Sequence, residues 1–203
     1  AGRSLTAALA PHCDAGDIVT PAGKGTGRNN DGFERHFTAQ EIRAKVGREV
    51  FDSYFKFAIE RNPWEKIVSR YWAYAGVKDL PAYKRIPEWL TGKPLTFQQW
   101  FELRILQARF LTFGHYRFPR HYDAYMENDR PLVDFIGRYE NLSEHLGVIS
   151  ERIGVPIVLE EQRGTSRHKE RKPYTELFDA RMNRIVEDWF RKDLDFLGYR
   201  FAE

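Results

Sequence analysis

The stretch Phe55–Tyr71, FKFAIERNPWEKIVSRY, predicts a buried strand that runs directly into a helix. It begins with an aromatic and aliphatic run of strand length. Asn62 is a typical helix cap, and Pro63 suits a first helical turn. Free backbone amides and the helix dipole favour an anion at such a junction, so a guanidinium at Arg61 would complete a phosphate site. Ser69, two turns into the helix, is expected to face the same pocket.

Length and composition predict one folded domain over residues 1–203. The chain is 42% hydrophobic and 15% aromatic, which supplies a sizeable core and excludes disorder. Its net charge of +3 is too small to predict a nucleic-acid partner. The single cysteine, Cys13, excludes an internal disulfide and a cysteine-rich metal site. No membrane span or signal peptide is visible in the sequence.

The central stretch resembles the 3′-phosphate-binding motif of sulfotransferases that use 3′-phosphoadenosine 5′-phosphosulfate (PAPS). In that family an apolar strand precedes R-N-P, a serine eight residues after the arginine, and a nearby tyrosine. The matching residues are Arg61, Asn62, Pro63, Ser69 and Tyr71. The resemblance implies that Arg61 and Ser69 hold the 3′-phosphate that distinguishes PAPS from ATP. The alternative is an ordinary strand-to-helix crossover with a solvated arginine.

The first residues, AGRSL, resemble the tail of the family's 5′-phosphosulfate loop, P-K-x-G-G-T-S-L. Gly2, Ser4 and Leu5 match that tail, and Arg3 stands where threonine is usual. We expect a helix to begin here and to run to about Pro11, with Gly2, Arg3 and Ser4 in contact with the cofactor. The strand and the lysine that precede this tail in the family are expected upstream. A capped surface helix is the alternative.

Three further segments extend the resemblance over nearly the whole chain. FIGRYENL at 135–142 resembles the family's G-R-F-E-N-L strand-to-helix junction, and DLDFLGYRF at 193–201 resembles its common ending. The basic segment 163–172 lies where sulfotransferases carry a flexible segment that closes over PAPS. Within it we favour Arg167 and Lys169 as cofactor contacts. A charge run of this kind is otherwise a solvated face.

His36 is the predicted general base. Thr38 and Glu41 form a capping box, so a helix is expected to start at about Ala39, with His36 just before it. A hydroxyl acceptor must lose a proton during transfer, and histidine titrates nearest the working pH. Sulfotransferases often place a histidine in this region as the base. The other histidines are less favoured, with His115 in reserve, and a structural or solvated role is the alternative for His36.

Strands that alternate with helices predict an α/β fold with a mainly parallel sheet flanked by helices. Further strands are expected at 17–20, 132–139 and 156–160, and further helices at 96–113, 142–154 and 179–198. The resemblance implies a fold like that of the P-loop NTPases. Its first strand and the start of its phosphate loop are expected to precede this segment.

The resemblance implies a PAPS-dependent sulfotransferase of the carbohydrate (Golgi-type or bacterial) branch. Such an enzyme moves a sulfuryl group directly, in line, from PAPS to a hydroxyl acceptor and releases 3′-phosphoadenosine 5′-phosphate (PAP). Positioning and electrostatics suffice for this chemistry, so no metal is expected. A bacterial chain of this kind is expected in the cytoplasm, whereas an upstream signal-anchor would leave the location open.

Two other function classes remain open at the level of sequence. A P-loop nucleotide-dependent kinase would share the fold, but it would need an intact G-K-[ST] loop and a carboxylate that holds magnesium. A non-enzymatic polyanion-binding module would use the loops at 114–122 and 163–172. Strong preference for PAP, preference for ADP, or indifference to both would separate the three classes.

Overall fold

In the computed structural model the chain forms two compact units. The first unit consists of residues 1–61 and 121–170, and the second of residues 62–120 and 171–203. The structure describes residues 2–20, 32–34, 36–75, 95–106, 121–159 and 172–202. These residues form a mixed α/β structure, which confirms the fold class at that level, while a single domain over 1–203 stays a prediction.

The described residues contain helices and short strands. The helices are α1 (Gly2–Leu9), α2 (Ala39–Val46), α3 (Arg48–Ser53), α4 (Pro63–Ala75), α5 (Phe97–Leu106), α6 (Tyr122–Tyr125), α7 (Leu142–Ile153), α8 (Ala180–Trp189) and α9 (Arg191–Leu197). The strands are β1 (Phe57–Glu60), β2 (Met126–Glu127), β3 (Arg130–Pro131) and β4 (Phe135–Arg138).

The first unit contains a parallel pair of strands, β1 and β4. Their register aligns Phe57 with Phe135 and Glu60 with Arg138. Gly137 allows the close approach, because a Cβ there would lie 2.8 Å from the Cδ1 of Ile59. Parallel pairing is therefore confirmed for these two strands. The larger parallel sheet that the sequence predicts is not seen among the described residues.

Helix α7 packs its apolar stripe against this pair of strands. Leu142, Leu146 and Ile149 are buried at spacings of four and three residues, which places them on one helix face. Burying each such side chain stabilises the fold by about 1.5–3 kcal/mol. The helix ends at Gly154 in the left-handed conformation, a common stop for helices. The residues that pack against the buried stripe include Leu5, Phe55, Phe57, Ile59, Phe135 and Tyr139.

A short antiparallel hairpin, β2 and β3, completes the described sheet structure of the first unit. Its turn residues, Asn128 and Asp129, both have positive φ, as a two-residue hairpin turn requires. Helix α2 is tied to this hairpin through two side chains. Gln40 donates to the carbonyl of Met126, and Arg43 forms an ion pair with Glu127. The N-terminal helix and the α2 capping box were both predicted, and both are confirmed.

The second unit is helical and has an aromatic core. The Asn62 side-chain oxygen accepts the backbone N–H of Trp64 at 3.0 Å and of Glu65 at 3.3 Å, which confirms the predicted cap of α4. The Trp64 indole N–H donates to Asn183 on α8 at 2.8 Å. A second predicted capping box, Thr96 with Gln99, is also present at the start of α5. The buried aromatic side chains of this unit include Trp64, Phe97, Trp100, Phe101, Phe178 and Phe190.

Two predicted strands are wrong. Residues 156–159 form no strand, and the Ile157 N–H donates to the Ser150 hydroxyl of α7 at 2.9 Å. The segment 17–20 has a single bridge residue, Val19. It follows a tight turn in which the Asp17 N–H donates to the Asp14 carbonyl at 3.1 Å.

Two other elements differ in extent from the sequence-based expectation. The strand expected at 132–139 covers only β4, because the Leu132 N–H donates to the Tyr125 carbonyl beside the β2–β3 hairpin and not to β1. The helix expected at 179–198 is interrupted at Phe190, whose ψ of 19° lies outside the helical range. Phe190 is fully buried at this break. No helix in the described part of the chain is long and apolar enough to cross a membrane.

Candidate functional site

Arg61 lies at the carboxyl end of the parallel strand pair, directly after β1. Its guanidinium carbon is 4.3 Å from the centroid of the Tyr139 ring. Tyr139 directly follows β4, and the preceding residues of the two strands, Glu60 and Arg138, are aligned in register. The register therefore brings the two residues together. A cation–π contact of this kind restricts the guanidinium, and the carboxyl ends of parallel strands are where open α/β sheets bind ligands.

Glu60, the last residue of β1, contributes a buried carboxylate at the same strand end. Its side chain is 1% exposed, and its Oε2 lies 3.8 Å from Nδ1 of His121, whose side chain is 53% exposed. The same oxygen accepts the Arg61 backbone N–H at 3.4 Å. A buried carboxylate therefore lies beside a solvent-accessible imidazole.

Sequence reasoning missed this pair. His121 lies in a stretch without a regular pattern, and its carboxylate partner comes far earlier in the chain. One signal was available: Glu60 ends an otherwise apolar strand run, FAIE, at a position where a buried charge is rare unless it has a partner.

The predicted 5′-phosphosulfate contacts lie in α1. The helix begins at Gly2, as expected, and the Gly2 carbonyl accepts the Thr6 hydroxyl at 3.0 Å. Arg3 lies in the same helical turn, and Ser4 is half-buried. A Cβ atom added at Gly2 would meet no neighbouring heavy atom within 4 Å, so the space beside this residue is open. The predicted contacts Arg167 and Lys169 lie outside the described residues.

Ser69 and Tyr71 both lie in α4, in the second unit, whereas Arg61 belongs to the first unit. Ser69 is half-buried. Tyr71 is buried, its hydroxyl donates to the Leu95 carbonyl at 2.8 Å, and burial raises the pKa of this phenol. Tyr71 therefore has a packing role within its own unit.

His36 is exposed in the turn that precedes α2. The Thr38 backbone N–H donates to Glu41 Oε2 at 2.6 Å, and the Glu41 N–H donates to the Thr38 hydroxyl at 3.2 Å. The Thr38 backbone and hydroxyl hydrogen bonds lower the pKa of Glu41. The capping box therefore fixes the start of α2 at Ala39, three residues after His36.

Within the described ranges, no group of three or more His, Cys, Asp or Glu side chains is arranged to hold a metal ion. Glu60 and His121 are one charged pair at this strand end, and Arg43 of α2 forms an ion pair with Glu127 of β2.

Comparison with known proteins places this mixed α/β chain in one family. It is 31% identical over 153 residues to an uncharacterized protein of Archaeoglobus fulgidus, which covers 75% of this chain and 96% of that protein. The chain belongs to the same family as this archaeal protein. No family model matches the chain, and no solved structure matches it.

Proposed function

We propose that the chain is a PAPS-dependent sulfotransferase that moves a sulfuryl group from PAPS to a hydroxyl acceptor. The observation that carries the proposal is the Arg61–Tyr139 contact of 4.3 Å at the end of β1. A guanidinium restricted at the carboxyl end of a parallel strand is suited to bind a phosphate group. The sequence around Arg61 matches the family motif for the 3′-phosphate of PAPS, and a P-loop-like fold is part of the same proposal.

Each proposed cofactor contact has a distinct task. Arg61 and Ser69 bind the 3′-phosphate, whereas Gly2, Arg3 and Ser4 bind the 5′-phosphosulfate through the start of α1. Arg167 and Lys169 neutralise further phosphate charge. PAPS supplies the activated sulfuryl group, and these residues orient it and stabilise the negative charge that develops on the leaving phosphate.

The nature of the acceptor follows from the same resemblance, which favours a carbohydrate hydroxyl. Transfer of radiolabel from sulfur-labelled PAPS to unsulfated chondroitin and heparosan, with a phenol and a sterol alcohol in parallel, tests this assignment. Labelling confined to the polysaccharides supports a carbohydrate acceptor. Labelling of only the phenol or the sterol rejects the carbohydrate assignment and leaves sulfotransfer in place.

Calorimetric titration with PAP and with ADP tests the proposed function itself. We expect PAP to bind much more tightly than ADP, because only PAP carries the 3′-phosphate. Preference for ADP would favour the kinase, and indifference to both nucleotides would favour a polyanion-binding module. Either outcome rejects the sulfotransferase.

The variant Arg61→Ala tests whether Arg61 binds the 3′-phosphate of PAP. It should weaken PAP binding by about 2–4 kcal/mol, as for the loss of a charge-assisted contact. Adenosine 5′-phosphosulfate, which lacks the 3′-phosphate, should bind the wild type poorly and lose little more in the variant. The matched control is Arg48→Ala on α3, whose side chain is 87% exposed. Equal losses for both ligands would refute a 3′-phosphate role for Arg61.

A further inference from the structure

We infer that His121 is the general base of the transfer reaction and that Glu60 is its positioning residue. This inference rests on the proposed sulfotransferase function and adds an acid–base pair that the sequence motifs do not contain. It differs from the sequence-based prediction, which gives the same role to His36.

The geometry gives the two nitrogens of the His121 ring different roles. Nδ1 lies 3.8 Å from Glu60 Oε2, so we place the ring proton on Nδ1, on the side of the carboxylate. Nε2 then has a lone pair that can accept a proton from a bound hydroxyl. The distance is longer than a hydrogen bond, and acid–base contacts in ligand-free structures are often long and tighten when substrate binds.

The two members of the pair differ in solvent exposure. Glu60 is 1% exposed and His121 is 53% exposed, so the carboxylate is held inside the protein while the imidazole reaches solvent. A buried carboxylate is costly unless polar groups compensate it, and here Oε2 also accepts the Arg61 backbone N–H. A buried carboxylate that orients a histidine, which in turn meets the substrate, is a recurring catalytic arrangement.

The pair lies next to Arg61, the proposed ligand of the 3′-phosphate. Glu60 and Arg61 are consecutive residues; Glu60 lies beside His121, and Arg61 contacts the Tyr139 ring. The 3′-phosphate contact and the acid–base pair can therefore act together at one strand end. The charged groups adjacent to the pair in sequence and register are Arg61, Asp123 and Arg138.

The proposed step balances as a direct transfer. The acceptor oxygen forms a bond to sulfur while the bond between sulfur and the 5′-phosphate oxygen of PAPS breaks. The electron pair of the broken bond stays on the phosphate oxygen, which gives PAP. The acceptor proton moves to Nε2 of His121, and Glu60 stabilises the imidazolium that results.

Histidine variants test which residue is the base. His121→Ala should lower kcat for labelled PAPS with unsulfated chondroitin or heparosan by about 10²–10⁴-fold and leave PAP affinity within about twofold. Glu60→Gln should lower kcat by up to about 10⁴-fold, as for the loss of a carboxylate that orients a catalytic histidine. His12→Ala, an exposed histidine, is the matched control and should leave kcat unchanged. Near-normal turnover in His121→Ala, with a large loss in His36→Ala, would overturn the inference in favour of His36.

An NMR titration of the histidine rings tests the pair without an acceptor. In the PAP complex, Glu60→Gln should weaken proton binding by the His121 imidazole about tenfold, because the imidazolium loses its adjacent carboxylate. Glu60→Asp should restore part of this difference. If wild type binds PAP but Glu60→Gln leaves the His121 pKa unchanged, the inference fails and the proposed function stands. If wild type does not bind PAP, both fail.

Discussion

The guanidinium of Arg61 and the ring of Tyr139 face each other at 4.3 Å, each one position beyond a strand of the parallel pair. The contact depends on register, because a shift of one residue along β4 would bring Glu140 to the position of Tyr139. Strand pairing in the first unit therefore determines which side chain supports the proposed phosphate ligand.

Replacement of Tyr139 tests whether its ring positions Arg61. Tyr139→Leu should weaken PAP binding by about 0.5–2 kcal/mol, the usual range for a cation–π contact. Tyr139→Phe is the matched control and should bind PAP within about twofold of wild type, because the ring remains. Calorimetry gives both affinities, and wild-type affinity in Tyr139→Leu would contradict a positioning role.

Ser69→Ala should weaken PAP binding less than Arg61→Ala does. Loss of one hydrogen bond to a charged phosphate corresponds to about 1.5 kcal/mol. The loss should be specific to PAP and absent with adenosine 5′-phosphosulfate. Ser143→Ala, at an exposed serine on α7, is the control and should bind as wild type does. A Ser69→Ala protein with unchanged PAP affinity would remove Ser69 from the proposed site.

Gly137→Ala should destabilise the protein. The new Cβ would lie 2.8 Å from the Ile59 side chain and 3.1 Å from the Cβ of His145, so neighbouring groups must move at a cost of about 1–3 kcal/mol. Gly147→Ala is the matched control, because that site in α7 is open and alanine favours helix by about 1 kcal/mol. Thermal unfolding should rank the two variants on opposite sides of wild type.

Asp134 makes stability depend on pH in the acidic range. Burial alone would raise the pKa of Asp134, but the Lys56 backbone N–H at 2.7 Å and the Lys56 ammonium at 2.9 Å outweigh it and lower the pKa below 3.8. A carboxylate with a lowered pKa stabilises the folded state above pH 3.8. That contribution is lost as the pH falls through the folded-state pKa.

The variant Asp134→Asn removes this titration. Its loss of unfolding free energy relative to wild type should be constant near neutral pH and should shrink below pH 3.8. Urea unfolding at several pH values measures the difference. A difference that stays constant into strong acid would show that the Lys56–Asp134 contact does not contribute through the charge of Asp134.

Local chemistry made the helix starts predictable. The two capping boxes and the Asn62 cap depend only on residues within three positions of each other, and all three are present. The strand predicted at 156–160 failed because an apolar run of strand length is also compatible with an irregular segment bonded to a helix. The irregular conformation is bonded to Ser150, which lies outside the run and so could not be inferred from it.

The candidate site was only partly predictable for the same reason. Arg61 could be found because its motif is contiguous with the strand and the cap that surround it. Tyr139 and His121 could not be assigned, because their contacts with Arg61 and Glu60 depend on strand register and on the path of a distant segment. Sequence periodicity carries information about neighbours along the chain and little about such partners.

The parallel pairing of β1 with β4 also has a consequence for synthesis on the ribosome. Lys56 and Asp134, which bond to each other at the start of the two strands, are 78 positions apart in the chain. Until β4 has left the ribosome, β1 of the nascent chain therefore lacks its hydrogen-bond partner. We expect β1 to remain accessible to proteases and chaperones for that interval, and the first unit to fold only after α7 has emerged to cover the strands.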